Sequence, residues 1–147
     1  MANIDPIFTR LASTSDDGTA TTSSAMALQL LTATGDMTGV STNHKLVWTA
    51  DPNSGGYIER LRFKAEGTNV ASVARIFINN GGVNTSAANN SLYGEISLPA
   101  MTAILTAATL DLDYWMNIAL DPGFRIFVGL GTTVAAGWRC VGVGGKY

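Results

Sequence analysis

The amino-acid sequence predicts an all-β protein: an antiparallel β-sandwich, jelly-roll-like, with about eight strands and an extended N-terminal arm. Three observations predict this class. Apolar and polar residues alternate in short runs of four to nine residues. Clusters of Gly, Asn, Asp, Ser and Pro separate these runs. No amphipathic segment of ten or more residues intervenes, which excludes βαβ units and a parallel sheet.

Length and composition predict one domain with one core. The chain has 147 residues, of which 46% are hydrophobic and 14% are charged, and it contains 16 glycines. It is therefore too apolar to be disordered and too rich in turn-forming residues to be mostly helical. A chain of this length buries about 68–70% of its extended surface on folding, which is enough for a sizeable core.

Residues 1–25 differ from the rest and are predicted to form an arm and linker, which leaves 26–147 as the sandwich domain. The first half of the arm carries the apolar residues Ile4, Ile7, Phe8 and Leu11. A stretch without periodicity, STSDDGTATTSS, follows them. Asp5 before Pro6 suits the N-cap and first position of a short helical turn that presents the apolar side chains. They either pack on their own domain or dock on a partner.

The apolar runs predict eight or nine strands, near residues 26–33, 45–50, 57–66, 71–79, 92–98, 108–113, 115–120, 124–130 and 136–143. The segments between them have the residues of turns, most clearly DPNSGG at 51–56, NNGG at 79–82 and DPG at 121–123. Residues 99–107, PAMTAILTA, carry the other helical pattern, which has room for one or two turns.

The most regular pattern lies in segments 57–66 and 71–79, which we predict to form a β-hairpin around residues 67–69. The alternation of the first segment places apolar residues on one face and charged residues on the other: Leu61, Phe63 and Ala65 against Arg60, Arg62, Lys64 and Glu66. The runs 76–78 and 126–128 are apolar on both faces. We therefore expect central strands there, covered on the far side by the arm or by a neighbouring subunit.

Reactive side chains are few, and we expect no enzymatic activity. The chain has one histidine, His44, predicted to be solvated at a strand entry, and one cysteine, Cys140, which cannot form an intrachain disulfide. No nucleophile has the context of an acyl-transfer enzyme, and one Cys with one His does not make a metal site. We expect no metal and no cofactor.

Two charged patterns each leave two interpretations open. Asp111 and Asp113 project from one face of a strand, either as a carboxylate pair or Ca²⁺ ligands, or as the solvated half of an ordinary alternation. A basic stripe is formed by Arg60, Arg62 and Lys64, and Arg75 is a candidate fourth member. This stripe either binds an acidic partner surface or is a solvated face.

The aromatic residues also leave two interpretations open. They form an exposed sugar-binding platform or a subunit interface, or they fill the core of the sandwich. We predict core filling for most of them. They are Trp48, Tyr57, Tyr93, Trp115 and Trp138. Net charge of −2 and a pI near 5.1 argue against a nucleic-acid partner. We also expect no membrane partner, because no signal sequence and no apolar run of membrane-spanning length is visible.

Three segments carry a resemblance to a known family: YIERLRFKAEGTNVASVARIFINNGG, NNSLYGEISLPA and IALDPGFRIFVGLGTTVAAGWRCVGVGGKY. Together they resemble small virion structural proteins of tailed bacteriophages, of the type that decorates or cements the capsid. The resemblance covers roughly residues 27–147 and does not extend to the arm. It lies in the order of strands and turns, without a catalytic signature.

The resemblance implies a protein that binds the assembled head and stabilises it by bridging adjacent major capsid protein subunits. It implies no catalytic residues. The expected location is the outer capsid surface of the virion, after synthesis in the host cytoplasm. A closed homo-oligomer is expected because cement proteins sit at local symmetry axes, and a trimer is favoured over a dimer.

Under this hypothesis the residues that contact the capsid or a neighbouring copy are those of the arm and the basic stripe: Ile4, Ile7, Phe8, Leu11, Arg60, Arg62 and Lys64. Two other functions remain open. One is a tail or head-fibre component that binds the host surface through a loop such as 82–91. The other is a small carbohydrate-binding or hydrolytic β-sandwich that uses Asp111, Asp113 and an exposed tryptophan.

Overall fold

The computed structural model describes residues 7–8 and 29–146, which form two antiparallel sheets packed face to face. The strands are β1 Ile7–Phe8, β2 Gln29–Leu31, β3 Lys45–Thr49, β4 Gly56–Ala65, β5 Ser72–Asn79, β6 Asn90–Leu98, β7 Asp111–Leu120, β8 Arg125–Leu130 and β9 Trp138–Lys146. A three-residue 3-10 turn, Ala87–Asn89, is the one helical segment of this part of the chain. The predicted all-β sandwich is confirmed.

The strand order is that of a jelly roll. Sheet A has the order β9–β4–β7, with β1 and β2 both beside β9, and sheet B has the order β3–β8–β5–β6. The pairs β2–β9, β3–β8, β4–β7 and β5–β6 are nested, as in one long hairpin rolled into two sheets. The chain therefore reverses at two ends of the sandwich, and each end collects loops that are distant in sequence.

The core lies between the two sheets, and alternation along β4 shows how the sequence encodes it. Leu61, Phe63 and Ala65 are buried, while the residues between them face solvent, as predicted. Trp48 and Trp138 are the largest fully buried side chains, so the core-filling interpretation is confirmed for them. Burial of one such side chain contributes about 1.5–3 kcal/mol to folding.

The predicted hairpin between segments 57–66 and 71–79 is wrong. Strand β4 belongs to sheet A, where it pairs with β7 and β9, and β5 belongs to sheet B, where it pairs with β6 and β8. Residues 66–71 therefore cross from one sheet to the other. Alternation reveals which face of a strand is buried, but it does not identify the neighbouring strand.

Three further boundaries differ from the prediction. The segments 108–113 and 115–120 form one strand, β7, whose pairing shifts register near Asn117, a residue with φ of 50°. Residues 99–107 contain a turn and no helix. Ile7 and Phe8 form a strand because they pair with the end of β9, and this tertiary pairing overrides the helical start signal of the sequence.

The strands with doubly apolar runs, β5 and β8, are central in sheet B, as predicted. At Phe77, however, the outer face is covered by the connection between β2 and β3. The ring of His44 from this connection stacks on Phe77, with 4.8 Å between ring centroids, and Gly39 packs against the same ring. At this position the cover comes from the same domain. No helix in the described part of the chain is long and apolar enough to span a membrane.

Candidate interaction surfaces

The predicted basic stripe lies on the outer face of sheet A, on strand β4, and each of its cations has a partner. Arg60 lies 3.4 Å from the carboxylate of Asp113, and Arg62 pairs with Asp111. The Nζ of Lys64 donates to the backbone carbonyl of Thr109 at 2.8 Å.

Further ion pairs surround the stripe. Arg139 on β9 pairs with Glu66 at 3.2 Å, and Glu59 lies 3.4 Å from Arg60. Arg75 is not part of this face, because it lies in sheet B and pairs with Glu95 at 3.0 Å. The face is therefore a network of alternating charges rather than a basic patch, and it has no excess charge with which to attract an acidic partner.

Asp111 and Asp113 face solvent on β7, where they complete cross-strand ion pairs with the arginines of β4. The same face carries Trp115, which is 55% exposed and whose ring centroid lies 5.0 Å from the guanidinium carbon of Arg60. No group of three or more metal-ligating side chains occurs among residues 7–8 and 29–146. The arrangement fits the solvated-alternation interpretation of the two aspartates.

The prediction that His44 is solvated is wrong, because the residue is only 5% exposed. Its ring lies against the backbone of Gly35 and Gly129, where a Cβ atom would overlap it. Neither ring nitrogen has a hydrogen-bond partner in the described structure. His44 is thus a packing residue of the sheet B face rather than an accessible acid or base.

Two other titratable groups also have structural environments. Burial raises the pKa of the Cys140 thiol, which is fully enclosed in the core. The pKa of Asp36 is lowered: desolvation raises it, but the Thr38 N–H and hydroxyl, the Gly39 N–H and the charge of His44 outweigh that effect. The carboxylate of Asp36 accepts hydrogen bonds from Thr38 and Gly39, which lie in the same turn.

At one end of the sandwich, three stretches of loop contain no charged residue: 67–71, 99–110 and 131–137. They adjoin Glu66 and the β2–β3 connection, which carries Asp36. We call this surface the apolar end. Val70 and Ile104 are 57% and 58% exposed there, and Leu105 is fully exposed. These exposed apolar side chains make the apolar end a candidate interaction surface.

A buried side chain, Asn69, joins the three loops of the apolar end. Its Oδ1 accepts from the N–H groups of Ala136 and Gly137 at 3.0 and 2.8 Å, and its Nδ2 donates to the carbonyl of Gly137 at 2.9 Å. Its backbone exchanges two hydrogen bonds with Met101, each 2.9 Å long. The loops are consequently held in fixed relative positions.

Leu105 projects from a turn whose two ends are anchored. On one side the Ala103 N–H donates to the Thr68 hydroxyl at 2.9 Å. On the other, the Leu110 carbonyl accepts from the Ala65 N–H at 3.0 Å. Beside this turn lies an open cleft of about 380 Å³, lined by Thr68, Asn69, Val70, Ala100, Met101, Thr102 and Ala135. The apolar end thus presents a projecting side chain next to a recess.

Sequence reasoning missed the apolar end because it treated residues 99–107 as a helical segment. The available signal was the absence of charge: PAMTAILTAATL runs for twelve residues without Asp, Glu, Lys or Arg, yet it does not alternate like a strand. Of the predicted contact residues, Ile4 and Leu11 lie outside the described residues. Ile7 and Phe8 pair with Lys146 and Gly145 at the opposite end of the sandwich.

The remaining candidates divide between the faces. Tyr57 donates from its hydroxyl to the side chain of Asn117 at 2.9 Å on the outer face of sheet A, and Tyr93 is partly exposed on the edge strand β6. Loop 82–91 is closed by hydrogen bonds among its own asparagines and backbone. No protein-family model, curated protein or solved structure matches this chain.

Proposed function

We propose that this protein is a bacteriophage capsid decoration protein, which binds the outer surface of the assembled head and bridges adjacent major capsid protein subunits. The observation that carries the proposal is the apolar end, with Leu105 fully exposed on a turn anchored at both sides. The resemblance of residues 27–147 to small virion structural proteins supports the same function.

The apolar end has the properties of a binding hot spot. Binding costs less when the contact residues are already held in place, and Asn69 holds the three loops together. Transfer of one large aliphatic side chain from water into a partner's pocket contributes about 1.5–3 kcal/mol. Val70, Ile104 and Leu105 are the side chains that we expect to enter recesses of the coat.

Bridging means that one decoration protein contacts two coat subunits at once. We expect its docking recess to lie between two coat subunits, so that the recess is present on the assembled shell and absent from free subunits. A protein that binds only the assembled form stabilises it by mass action. Because a closed homo-oligomer presents several copies at once, modest contacts add through effective concentration. We favour a trimer over a dimer.

The test compares two aspartate substitutions at exposed apolar positions at opposite ends of the sandwich. Leu105→Asp places a charge on the apolar end, and Val83→Asp places one on the far end, where Val83 is 68% exposed. Heads assembled without this chain are mixed with each labelled variant and sedimented. We expect Leu105→Asp to weaken binding about 30-fold or more, which corresponds to a hot-spot loss of about 2 kcal/mol.

The control variant, Val83→Asp, should bind heads like the wild type. Both variants should keep the melting temperature of the wild type. Equal binding by Leu105→Asp and the wild type would exclude the apolar end as the docking surface. A second experiment removes residues 1–25, after which we expect loss of retention on the head with the sandwich still folded. Unchanged retention would mean that the arm takes no part.

A second candidate function has one observation in its favour. Trp115 is exposed beside Asp113, and a flat aromatic ring next to a polar group suits a sugar. Arg60 already lies over this ring. Binding to a glycan array that is lost in Trp115→Ala and kept in Leu105→Asp would favour a carbohydrate-binding or fibre function over decoration.

A further inference from the structure

The sequence contains one asparagine that is followed by glycine, Asn80–Gly81, in the connection between β5 and β6. In such a pair the backbone nitrogen attacks the side-chain amide more readily than in other asparagine pairs, because glycine has no Cβ atom to hinder the approach. Asn80 is exposed, so water has access to the product of this attack. The pair is therefore a chemically reactive position that capsid binding does not use.

The reaction is deamidation through a cyclic imide. The nitrogen of Gly81 forms a bond to Cγ of Asn80, the bond from Cγ to Nδ2 breaks, and Nδ2 leaves as ammonia together with the proton of the Gly81 nitrogen. Water then opens the imide at either carbonyl, which gives aspartate or isoaspartate. The first step requires the nitrogen and Cγ to approach within about 3–3.5 Å in the correct orientation.

In the folded protein the reacting groups form hydrogen bonds with other partners. The N–H of Gly81 donates to Oδ1 of Asn79 at 2.9 Å. The Oδ1 of Asn80 accepts from the N–H of Gly82 at 3.0 Å, and its Nδ2 donates to Oδ1 of Asn89 at 3.3 Å. The Gly81 nitrogen and the Asn80 side chain are thus each held by a group other than the one with which they would react.

The side chain of Asn79 is itself fixed in position. It is fully buried, and its Nδ2 donates to Oδ1 of Asn90 at 2.8 Å. Beyond the reactive nitrogen, the carbonyl of Gly81 accepts from the guanidinium of Arg125 at 2.7 Å. The peptide groups on both sides of Gly81 are therefore anchored to strands of the sandwich, and the turn has to open before the nitrogen can reorient.

We propose that Asn80 is a deamidation site that the fold keeps unreactive, and that Oδ1 of Asn79 is the group that holds the Gly81 nitrogen away from the reaction. Deamidation then proceeds from molecules in which the turn has opened locally, so its rate equals the rate in an unfolded chain multiplied by the open fraction. The product places a carboxylate in residues 79–91, a segment without a charged side chain. Isoaspartate also lengthens the backbone by a methylene group.

The first experiment uses the wild-type protein in mildly alkaline buffer, either folded or unfolded in urea, and follows each asparagine by peptide mass spectrometry. Asn53 is the internal reference, because it is exposed in a turn but precedes serine. In urea we expect Asn80 to convert faster than Asn53. In the folded protein we expect Asn80 to convert at least about tenfold more slowly than in urea, which corresponds to an opening free energy of about 1.4 kcal/mol or more.

Equal conversion of Asn80 in the folded and the unfolded protein would overturn the protection by the fold. Conversion of Asn80 no faster than that of Asn53 in urea would overturn the site. Since the samples contain no heads, neither result depends on capsid binding.

The second experiment tests the role of Asn79. Asn79→Ala and Asn90→Ala both remove the hydrogen bond between these two side chains, but only Asn79→Ala removes the acceptor of the Gly81 N–H. Asn90→Ala also removes the two hydrogen bonds that Asn90 donates to the carbonyls of Asn84 and Ser86. A general loosening of the loop would therefore accelerate deamidation in Asn90→Ala at least as much as in Asn79→Ala.

Under native conditions we expect Asn80 to convert about fivefold faster in Asn79→Ala than in Asn90→Ala, the ratio that corresponds to one hydrogen bond of about 1 kcal/mol. Circular dichroism verifies that both variants are folded. Equal rates in the two variants would overturn the role of Asn79. The comparison of folded with unfolded wild type does not depend on the variants, so it decides on the site and its protection in every case.

Discussion

The side-chain amide of Asn69 and the backbone of Gly137 exchange two hydrogen bonds across 68 residues of sequence. The Gly137 N–H donates to Oδ1 at 2.8 Å, and Nδ2 donates to the Gly137 carbonyl at 2.9 Å. Gly137 has φ of +92°, a conformation that suits glycine. One buried amide thereby fixes the loop before β5 against the loop before β9, and with them the surface that carries Leu105.

Replacement of Asn69 by alanine should destabilise the protein by about 2–4 kcal/mol, because it leaves the buried N–H of Gly137 and the N–H of Ala136 without an acceptor. Asn43→Ala is the matched control, since Asn43 is exposed and its Nδ2 donates one hydrogen bond, to the Thr34 carbonyl. Urea unfolding measures the change in the free energy of unfolding for each of the two variants. Hydrogen exchange should also accelerate at Met101 and Gly137 in the Asn69 variant. A loss no greater than that of Asn43→Ala would show that the loops hold without the amide.

His44→Phe should raise the free energy of unfolding by about 1 kcal/mol, because removing two buried nitrogens without partners outweighs the lost interaction with Asp36, and a ring stays stacked on Phe77. For a protein of this size the melting temperature should rise by about 2–4 °C per kcal/mol. His44→Gln retains polar atoms in the same space and should lower it. A phenylalanine variant less stable than the wild type would indicate that the ring nitrogens do have partners in solution.

Asp111→Asn combined with Asp113→Asn should cost little, because both carboxylates are part of exposed ion pairs, each of which contributes about 0–1 kcal/mol. We expect the double variant to fold normally and to bind heads like the wild type. Thermal unfolding and head sedimentation measure the two properties. Loss of a glycan-binding or hydrolytic activity in this variant would instead assign the pair a chemical role.

The Cys140 thiol should resist modification while the protein is folded, since burial both blocks access and raises its pKa. Its reaction with a thiol reagent at pH 8 should follow the unfolded fraction as urea is increased. Val83→Cys adds an exposed thiol and should react within the mixing time under native conditions. Native reaction of Cys140 at a comparable rate would mean that β9 opens readily.

The fold class was predictable because it depends on local patterns. The alternation of Leu61, Phe63 and Ala65 specifies a buried face, and the turn residues specify where the chain reverses. The partner of β4 was not predictable, because β7 and β9 are distant in sequence and nothing local distinguishes them from β5. The same turn residues follow a strand whether the next strand pairs with it in a hairpin or belongs to the other sheet, so the local sequence does not distinguish the two.

The candidate site was only partly predictable, for a similar reason. His44 is buried because Gly35, earlier in the same connection, and Gly129, on β8, leave room for its ring. Its own neighbours in sequence, Asn43 and Lys45, indicate a polar position. The apolar end likewise depends on Asn69, which is enclosed by loops that come together only in the folded protein. Asparagine is typical of exposed turns, so the sequence does not indicate this burial.

The nested pairing of strands has a consequence for how the molecule forms. The pair β5–β6 closes a loop of ten residues, from Asn80 to Asn89, whereas the contact of Gln29 with Cys140 closes one of more than a hundred. Because closing a longer loop costs more entropy, we expect β5 and β6 to associate first and the outer pairs to follow in order. A newly synthesised chain cannot complete its outermost pair until β9 has emerged from the ribosome, so folding should be slow and the earlier strands should wait for β9.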